Sequence, residues 1–144
     1  MKVADLLKSK GNTVAPVHPA ITIREVAQRL RRENVGAVVV SGDKGSHDGI
    51  VTERDVAHGI ATHGTKLLDL PASALATAAV VSCSPNDSLT DVARVMTERH
   101  LHHIPVRDGG RLLDVISIGD ILEERLHDRR RTTRALFGVV MTAH

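Results

Sequence analysis

Two segments of the sequence repeat one pattern, and this repeat limits the possible folds more than any other feature of the chain. Residues 49–57 read GIVTERDVA and residues 114–122 read DVISIGDIL. Each segment runs from apolar β-formers to a hydroxyl residue and then reaches an aspartate, as in Thr52 and Asp55. The repeat predicts two copies of one supersecondary unit, neither of which can bury its apolar face alone.

The sequences that precede these segments also align. Residues 14–30 (VAPVHPAITIREVAQRL) lie over residues 80–96 (VVSCSPNDSLTDVARVM) without a gap. In each copy a hydroxyl residue, Thr22 or Ser88, stands before an aliphatic stripe at helical spacing, and an acidic residue follows in the first turn. This is the signature of a capping box, so it predicts helices that run from these residues to about positions 33 and 99.

Short strands are predicted around each of these helices. One strand precedes each helix, at about residues 14–17 and 80–83, and a hairpin follows it, in GAVVVS with GIVT and in HIPVR with LLDVIS. A second helix begins directly after Thr52 and Ser117. The order in each copy is therefore β-α-β-β-α, and the LPASAL segment predicts a short helical connector between the copies.

Composition excludes several classes of protein. The chain has 144 residues, of which 42% are hydrophobic but only 1% aromatic, so its core is aliphatic and it lacks platforms for stacking nucleic-acid bases. Its net charge of +2 does not call for nucleic acid. The lone Cys83 is predicted to be a buried apolar residue. A single cysteine cannot form a disulfide framework, which suits a reducing cytoplasm. No run of about 18 apolar residues or signal peptide is present, so we expect a soluble cytoplasmic protein without a membrane segment.

The chain resembles a tandem pair of CBS domains, the regulatory module named after cystathionine β-synthase. The resemblance covers about residues 1–128 and rests on the doubled β-α-β-β-α order, the proline before each capped helix, RHLHHIPV at 99–106 and the twin motifs GIVTERD and DVISIGD. It implies an α+β fold with pseudo-two-fold symmetry. We expect a first repeat at 1–65, a second repeat at 66–128 and a C-terminal tail at 129–144.

The resemblance also implies a pair of clefts that bind an adenosine-containing ligand such as AMP, ADP, ATP or S-adenosylmethionine. By this likeness Asp55 and Asp120 would accept hydrogen bonds from the ribose hydroxyls. Thr52 and Ser117, together with free N–H groups at the starts of the following helices, would meet phosphate. Arg54 adds a cation to the first site where Gly119 stands in the second.

Further residues would complete these two sites. The aliphatic Val38 and Ile104 would hold the adenine, and Pro105 would belong to the same back wall of the second site. Backbone groups around Val14 and Val80 would read the edge of the base. His103 could meet phosphate in the second site, whereas the carboxylate of Asp114 would repel phosphate unless it points away.

Alternative interpretations remain open at the level of sequence. The hydroxyl and aspartate pairs also match simple helix caps. One such cap stabilises a helix by about 1 kcal/mol. The clefts could be vestigial, in which case the chain is a structural or protein-interaction module. A third possibility is a nucleic-acid binder that uses the tail arginines Arg129, Arg130, Arg131 and Arg134, although nucleic acid is not the expected partner.

The remaining expectations concern chemistry and partners. Nine histidines include a cluster at His100, His102 and His103, but strand alternation brings at most two of these together, so no metal site is predicted. No nucleophile elbow or P-loop is present, so we predict no enzyme activity and no required cofactor. The family likeness implies a homodimer, and the regulatory role implies a protein partner whose identity the sequence does not reveal.

Overall fold

The computed structural model of the chain describes residues 1–11, 15–42, 49–77 and 81–142, with side chains as far as residue 130. The α+β fold class is confirmed. The elements, in chain order, are α1 (Val3–Lys10), α2 (Ile23–Glu33), β1 (Ala37–Val40), β2 (Gly49–Thr52), α3 (Glu53–His63), two short 3-10 helices (Gly64–Asp69 and Ala72–Ala74), α4 (Leu89–Glu98), β3 (His103–Asp108), β4 (Arg111–Ser117) and α5 (Ile118–Thr142).

The first helix of each repeat begins where the sequence predicts it. The Thr22 hydroxyl accepts a hydrogen bond from the Glu25 N–H at 3.2 Å, and the Ser88 hydroxyl accepts one from the Asp91 N–H at 3.4 Å. Each cap satisfies a backbone donor that lacks a partner within the helix. The aliphatic stripes behind the caps are buried, with Ile23, Val26 and Leu30 on α2 and Leu89, Val92 and Met96 on α4.

Two antiparallel hairpins provide the sheets. Ala37 in β1 pairs with Thr52 in β2, and His103 in β3 pairs with Ser117 in β4. Each hairpin therefore ends on a hydroxyl residue, and the next helix, α3 or α5, starts at once. The predicted hairpins and the helices that follow them are confirmed.

The strands predicted at 14–17 and 80–83 are not extended strands in the described part of those ranges. Val17 forms a single parallel bridge to Val40, and Cys83 forms one to Val106. A turn follows each bridge, as in the hydrogen bond from the Asp87 N–H to the Ser84 carbonyl at 3.0 Å. The chain therefore leaves the sheet after one bridge.

Helix α1 is an element that the sequence interpretation did not include. It packs on the second repeat, because Val3 and Leu6 belong to the same buried cluster as the α4 and β3 side chains. The backbone reinforces this contact, since the Val3 N–H donates to the Asp87 carbonyl and the Leu89 N–H donates to the Met1 carbonyl, at 2.9 and 3.0 Å.

The connector between the repeats makes the equivalent contacts with the first repeat. The Ala72 N–H donates to the Ile21 carbonyl at 2.6 Å, and the Ile23 N–H donates to the Leu70 carbonyl at 2.9 Å. Helix α1, which precedes α2, thus packs on the second repeat, and the connector, which precedes α4, packs on the first. The predicted helical connector is confirmed as the 3-10 helix Ala72–Ala74.

The two hairpins pack against each other through one apolar face each. Ala37, Val39 and Ile50 of the first hairpin form a buried cluster with Val115 of the second, and Leu112 packs against it. The opposite faces pack on the helices of their own repeats. Cys83 is buried in the second core, as predicted, and its pKa is raised to about 12 by burial and by the nearby Asp87 carboxylate.

Helix α5 continues through the segment predicted as a separate tail and ends at Thr142. The side chains of Arg131, Arg134 and Phe137 lie outside the described part. None of the helices in the described ranges is both long and apolar enough to span a bilayer.

The contact of α1 with the second repeat can be tested by Leu6→Ala, because the Leu6 side chain is only 2% exposed. We expect the free energy of unfolding in urea to fall by about 2–5 kcal/mol, the cost of a buried cavity. Leu126→Ala is the matched control, since Leu126 is 53% exposed on α5, and it should change the unfolding free energy by no more than about 0.5 kcal/mol. Equal effects of the two substitutions would contradict the packing of α1.

Candidate functional site

A cleft of about 790 Å³ lies between the two repeats. The first repeat contributes Asn34 to Val39 and the start of α3, and the second repeat contributes parts of β3 and β4 and the start of α5. Lys10 enters from α1. The predicted site residues on the wall of this cleft are Val38, Thr52, Arg54, His103, Ser117 and Asp120.

The two hydroxyl and aspartate motifs form closed capping boxes. In the first, the Thr52 N–H donates to Asp55 Oδ2 at 2.8 Å and the Asp55 N–H donates to Thr52 Oγ1 at 3.1 Å. In the second, the Ser117 N–H donates to Asp120 Oδ2 at 2.8 Å and the Asp120 N–H donates to Ser117 Oγ at 3.0 Å. Asp120 lines the cleft, whereas Asp55 is not among the residues of its wall.

Some of the N–H groups that were expected to be free at the two helix starts have hydrogen-bond partners. The first N–H of α3, at Glu53, donates to the Gly36 carbonyl, and the first N–H of α5, at Ile118, donates to the His102 carbonyl, both at 2.9 Å. The third N–H of each helix is used by the capping box.

The first repeat brings two basic side chains to the cleft. Arg54 and His58 are one helical turn apart on α3, and both are exposed and line the wall. The sequence interpretation missed His58, although its spacing of four residues from Arg54 places the two on the same helix face. In the second repeat Gly119 takes the place of Arg54 and supplies no charge.

His103 connects the two repeats across the cleft. A Cβ atom added to Gly36 would lie 2.8 Å from His103 Nε2 and 3.2 Å from Glu53 Oε1, so the imidazole lies directly against the backbone of the first repeat. Burial lowers the pKa of His103 below its ordinary value of 6.5, although the Glu53 carboxylate acts in the opposite direction. The imidazole is therefore mostly neutral at pH 7.

Lys10 is the main site residue that the sequence interpretation missed. Its Nζ donates to the Val115 carbonyl at 2.8 Å, and it lies 3.4 Å from Asp120 Oδ2 and 3.7 Å from Asp114 Oδ2. Nothing in the repeat pattern signals this lysine, because it belongs to α1 and reaches the cleft only through tertiary packing.

The remaining predicted residues lie away from the cleft wall or outside the described residues. Ile104 and Pro105 are buried in the second repeat and are not among the lining residues. Val14 and Val80 fall outside the described ranges. Among the side chains that are described, no three His, Cys, Asp or Glu residues are grouped as a metal ion would require.

Comparison with known proteins identifies the family. The family model for the CBS domain matches residues 3–62 and 72–127. The CBS domain-containing protein YhcV of Bacillus subtilis is 32% identical over 108 residues, which covers 75% of this chain and 76% of YhcV.

Solved structures agree with this assignment. The CBS-domain containing protein ATU1752 from Agrobacterium tumefaciens is 38% identical, with a TM-score of 0.77 over 86% of this chain and 92% of that one. The structure of CBSX2 in complex with AMP shares the fold at 20% identity, with a TM-score of 0.70 over 89% of this chain and 98% of that one. The chain therefore belongs to the CBS-domain family and carries two copies of the domain.

Proposed function

We propose that the chain is a stand-alone, non-enzymatic regulatory module that binds an adenosine-containing ligand in the cleft between its repeats. The observation that carries this proposal is that one cleft is lined by the Thr52 and Arg54 motif of the first repeat and by the Ser117 and Asp120 motif of the second. AMP, ADP, ATP and S-adenosylmethionine are the candidate ligands.

The size and lining of the cleft suit such a ligand. Its volume of about 790 Å³ lies within the range of about 300–1,000 Å³ typical of small-molecule sites. Ala37, Val38 and Val39 provide an apolar surface for a purine, and Arg54 provides a charge-assisted donor for phosphate. The complex of CBSX2 with AMP supports the ligand class, since that protein shares the fold.

Binding at this position would couple the ligand to the arrangement of the repeats. A ligand that contacts both walls favours the arrangement of the repeats in which both walls are within its reach. A protein partner can then distinguish the ligand-bound arrangement from the ligand-free one. A ligand present at a hundred times its dissociation constant stabilises the binding state by about 2.7 kcal/mol. That free energy is sufficient to shift a balanced equilibrium almost completely.

A second candidate is a structural or interaction module whose cleft binds no ligand. The closed capping boxes favour it, because Asp55 and Asp120 already accept hydrogen bonds from Thr52 and Ser117. Each carboxylate keeps further acceptor capacity, however, so capping does not prevent a contact with ribose.

The ligand is identified by measuring thermal shift and calorimetry with AMP, ADP, ATP, NADH and S-adenosylmethionine. The proposal expects saturable binding of at least one adenosine compound and a higher melting temperature. If the folded protein binds none of these compounds, the result would favour the second candidate.

Asp120→Ala and Asp55→Ala separate ribose binding from helix capping. Both substitutions remove a capping box and should cost about 1 kcal/mol of stability. Only Asp120 lines the cleft, so Asp120→Ala should also weaken adenosine binding by about 1.5–3 kcal/mol, the range for hydrogen bonds to a charged group. If calorimetry finds unchanged affinity in both variants, the carboxylates act only as caps.

Arg54→Ala tests the source of phosphate selectivity. The ratio of AMP affinity to adenosine affinity is measured at pH 8, where the lowered pKa of His103 keeps its imidazole neutral. The substitution should reduce the preference for AMP by about tenfold or more, as expected when one charge-assisted bond is lost.

Arg24→Ala is the matched control for Arg54→Ala. Arg24 is the second residue of α2, as Arg54 is of α3, and both are exposed, but Arg24 does not line the cleft. Its replacement should leave the ratio of the two affinities unchanged. An equal loss of AMP preference in both variants would attribute that preference to the net charge of the protein. If neither variant loses the preference, Arg54 does not bind the phosphate.

A further inference from the structure

The second repeat contributes an unusual group of acceptors to the cleft. Three oxygen atoms, the carbonyl of Val115, Asp120 Oδ2 and Asp114 Oδ2, lie 2.8, 3.4 and 3.7 Å from the single ammonium group of Lys10. These atoms only accept hydrogen bonds, because a backbone carbonyl and ionised carboxylates have no donor. We call them the acceptor group.

One atom of the acceptor group is incompletely satisfied. Asp114 Oδ1 accepts from the Val115 N–H at 2.8 Å, but Oδ2 accepts no hydrogen bond from the groups that the structure describes. The Asp114 side chain is only 9% exposed, and the residue lines the cleft. Leaving a buried carboxylate oxygen without a donor is unfavourable. Because Oδ2 has almost no exposed surface, a donor brought by a ligand would reach it only by displacing a neighbouring group such as the Lys10 ammonium.

The balance of charge gives the same preference. Two carboxylates face one ammonium, so this part of the cleft carries a net charge of about −1 when all three are ionised. Phosphate would be repelled here, whereas an ammonium group or a hydrogen-bond donor would be attracted. The side chain of Lys10 already shows that a primary ammonium fits among these three oxygens.

We propose that Asp114 is a ligand-contacting, specificity-determining residue and that the acceptor group selects adenosine derivatives with a cationic or donor group in place of phosphate. This inference rests on the proposed function and narrows its ligand class. A phosphorylated ligand would direct its phosphate to Arg54 and His58 on the opposite wall. Lys10 would move aside for a ligand cation or stay to balance a neutral ligand.

The test uses ligands that differ in charge at one position. Calorimetry compares 5′-amino-5′-deoxyadenosine, adenosine and AMP, which carry positive, zero and negative charge at the same carbon. Asp114→Asn keeps the side-chain shape and removes the charge. It should weaken binding of the ammonium compound relative to adenosine by about tenfold or more, and it should strengthen AMP relative to adenosine.

Lys10→Met provides a second variant with the opposite expectation. Removing the ammonium leaves two unbalanced carboxylates, so the preference for the cationic ligand over AMP should increase by about tenfold. Asp108→Asn is the control, because Asp108 is exposed at the end of β3 and does not line the cleft. It should leave all three affinities unchanged. Circular dichroism establishes that each variant is folded.

The outcomes separate this inference from the proposed function. Opposite shifts in the affinity ratios of Asp114→Asn and Lys10→Met support selection by the acceptor group. If the wild type binds adenosine but both variants keep its affinity ratios, or shift them in the same direction, selection by Asp114 is overturned while the proposed function stands. If the wild type binds none of the three compounds or the wider adenosine panel, both proposals fail.

Discussion

The rest of the structure depends on the contact between the two hairpins. A two-stranded sheet is at best marginally stable in water, and each repeat has only one hairpin with a helix-packed face. Val39 and Ile50 of the first repeat bury the other face against Val115 of the second. Because the hairpins meet back to back, the helices that follow them start at the same region, and a cleft opens between these starts. The candidate site is therefore a consequence of how the two halves stabilise each other.

The symmetry of the backbone does not extend to the charges in the cleft. Glu53, Arg54 and His58 line one wall, whereas Lys10, Asp114 and Asp120 line the other. The chain has no Trp or Tyr, so an adenine in the cleft would be held by aliphatic side chains and by the imidazoles of its wall. Apolar contacts of this kind discriminate weakly between ligands of similar shape. Selectivity would then depend on the polar end of the ligand, where the two walls differ in charge and in the availability of donors and acceptors.

The sequence predicted those parts of the fold that local patterns determine. Periodicity and short-range hydrogen bonds determine where the capped helices begin, at Thr22 and Ser88. They also determine the two hairpins and the positions at which α3 and α5 begin. Helix α1 has no repeat counterpart of equal length, and its N-cap residue, Lys2, is not of a type that usually caps helices. The Asp5 carboxylate accepts a hydrogen bond from the Lys2 N–H at 2.9 Å, but this local pattern lies outside the repeat from which the elements were predicted. Lys10 was missed for the same reason, since its role depends on where α1 packs. Tertiary contacts of this kind leave no periodic trace in one sequence.

Helix α5 has a mechanical consequence that its sequence does not suggest. Its first turn lines the cleft through Ile118 and Gly119, and the helix continues without a break for 25 residues. At a rise of about 1.5 Å per residue it is about 37 Å long. A tilt of about 10° at the cleft would thus carry the far end through about 6 Å, several times the displacement of the atoms beside a bound molecule. If the proposed ligand tilts the helix, its far end is the part of the chain that would move most and that another protein could detect.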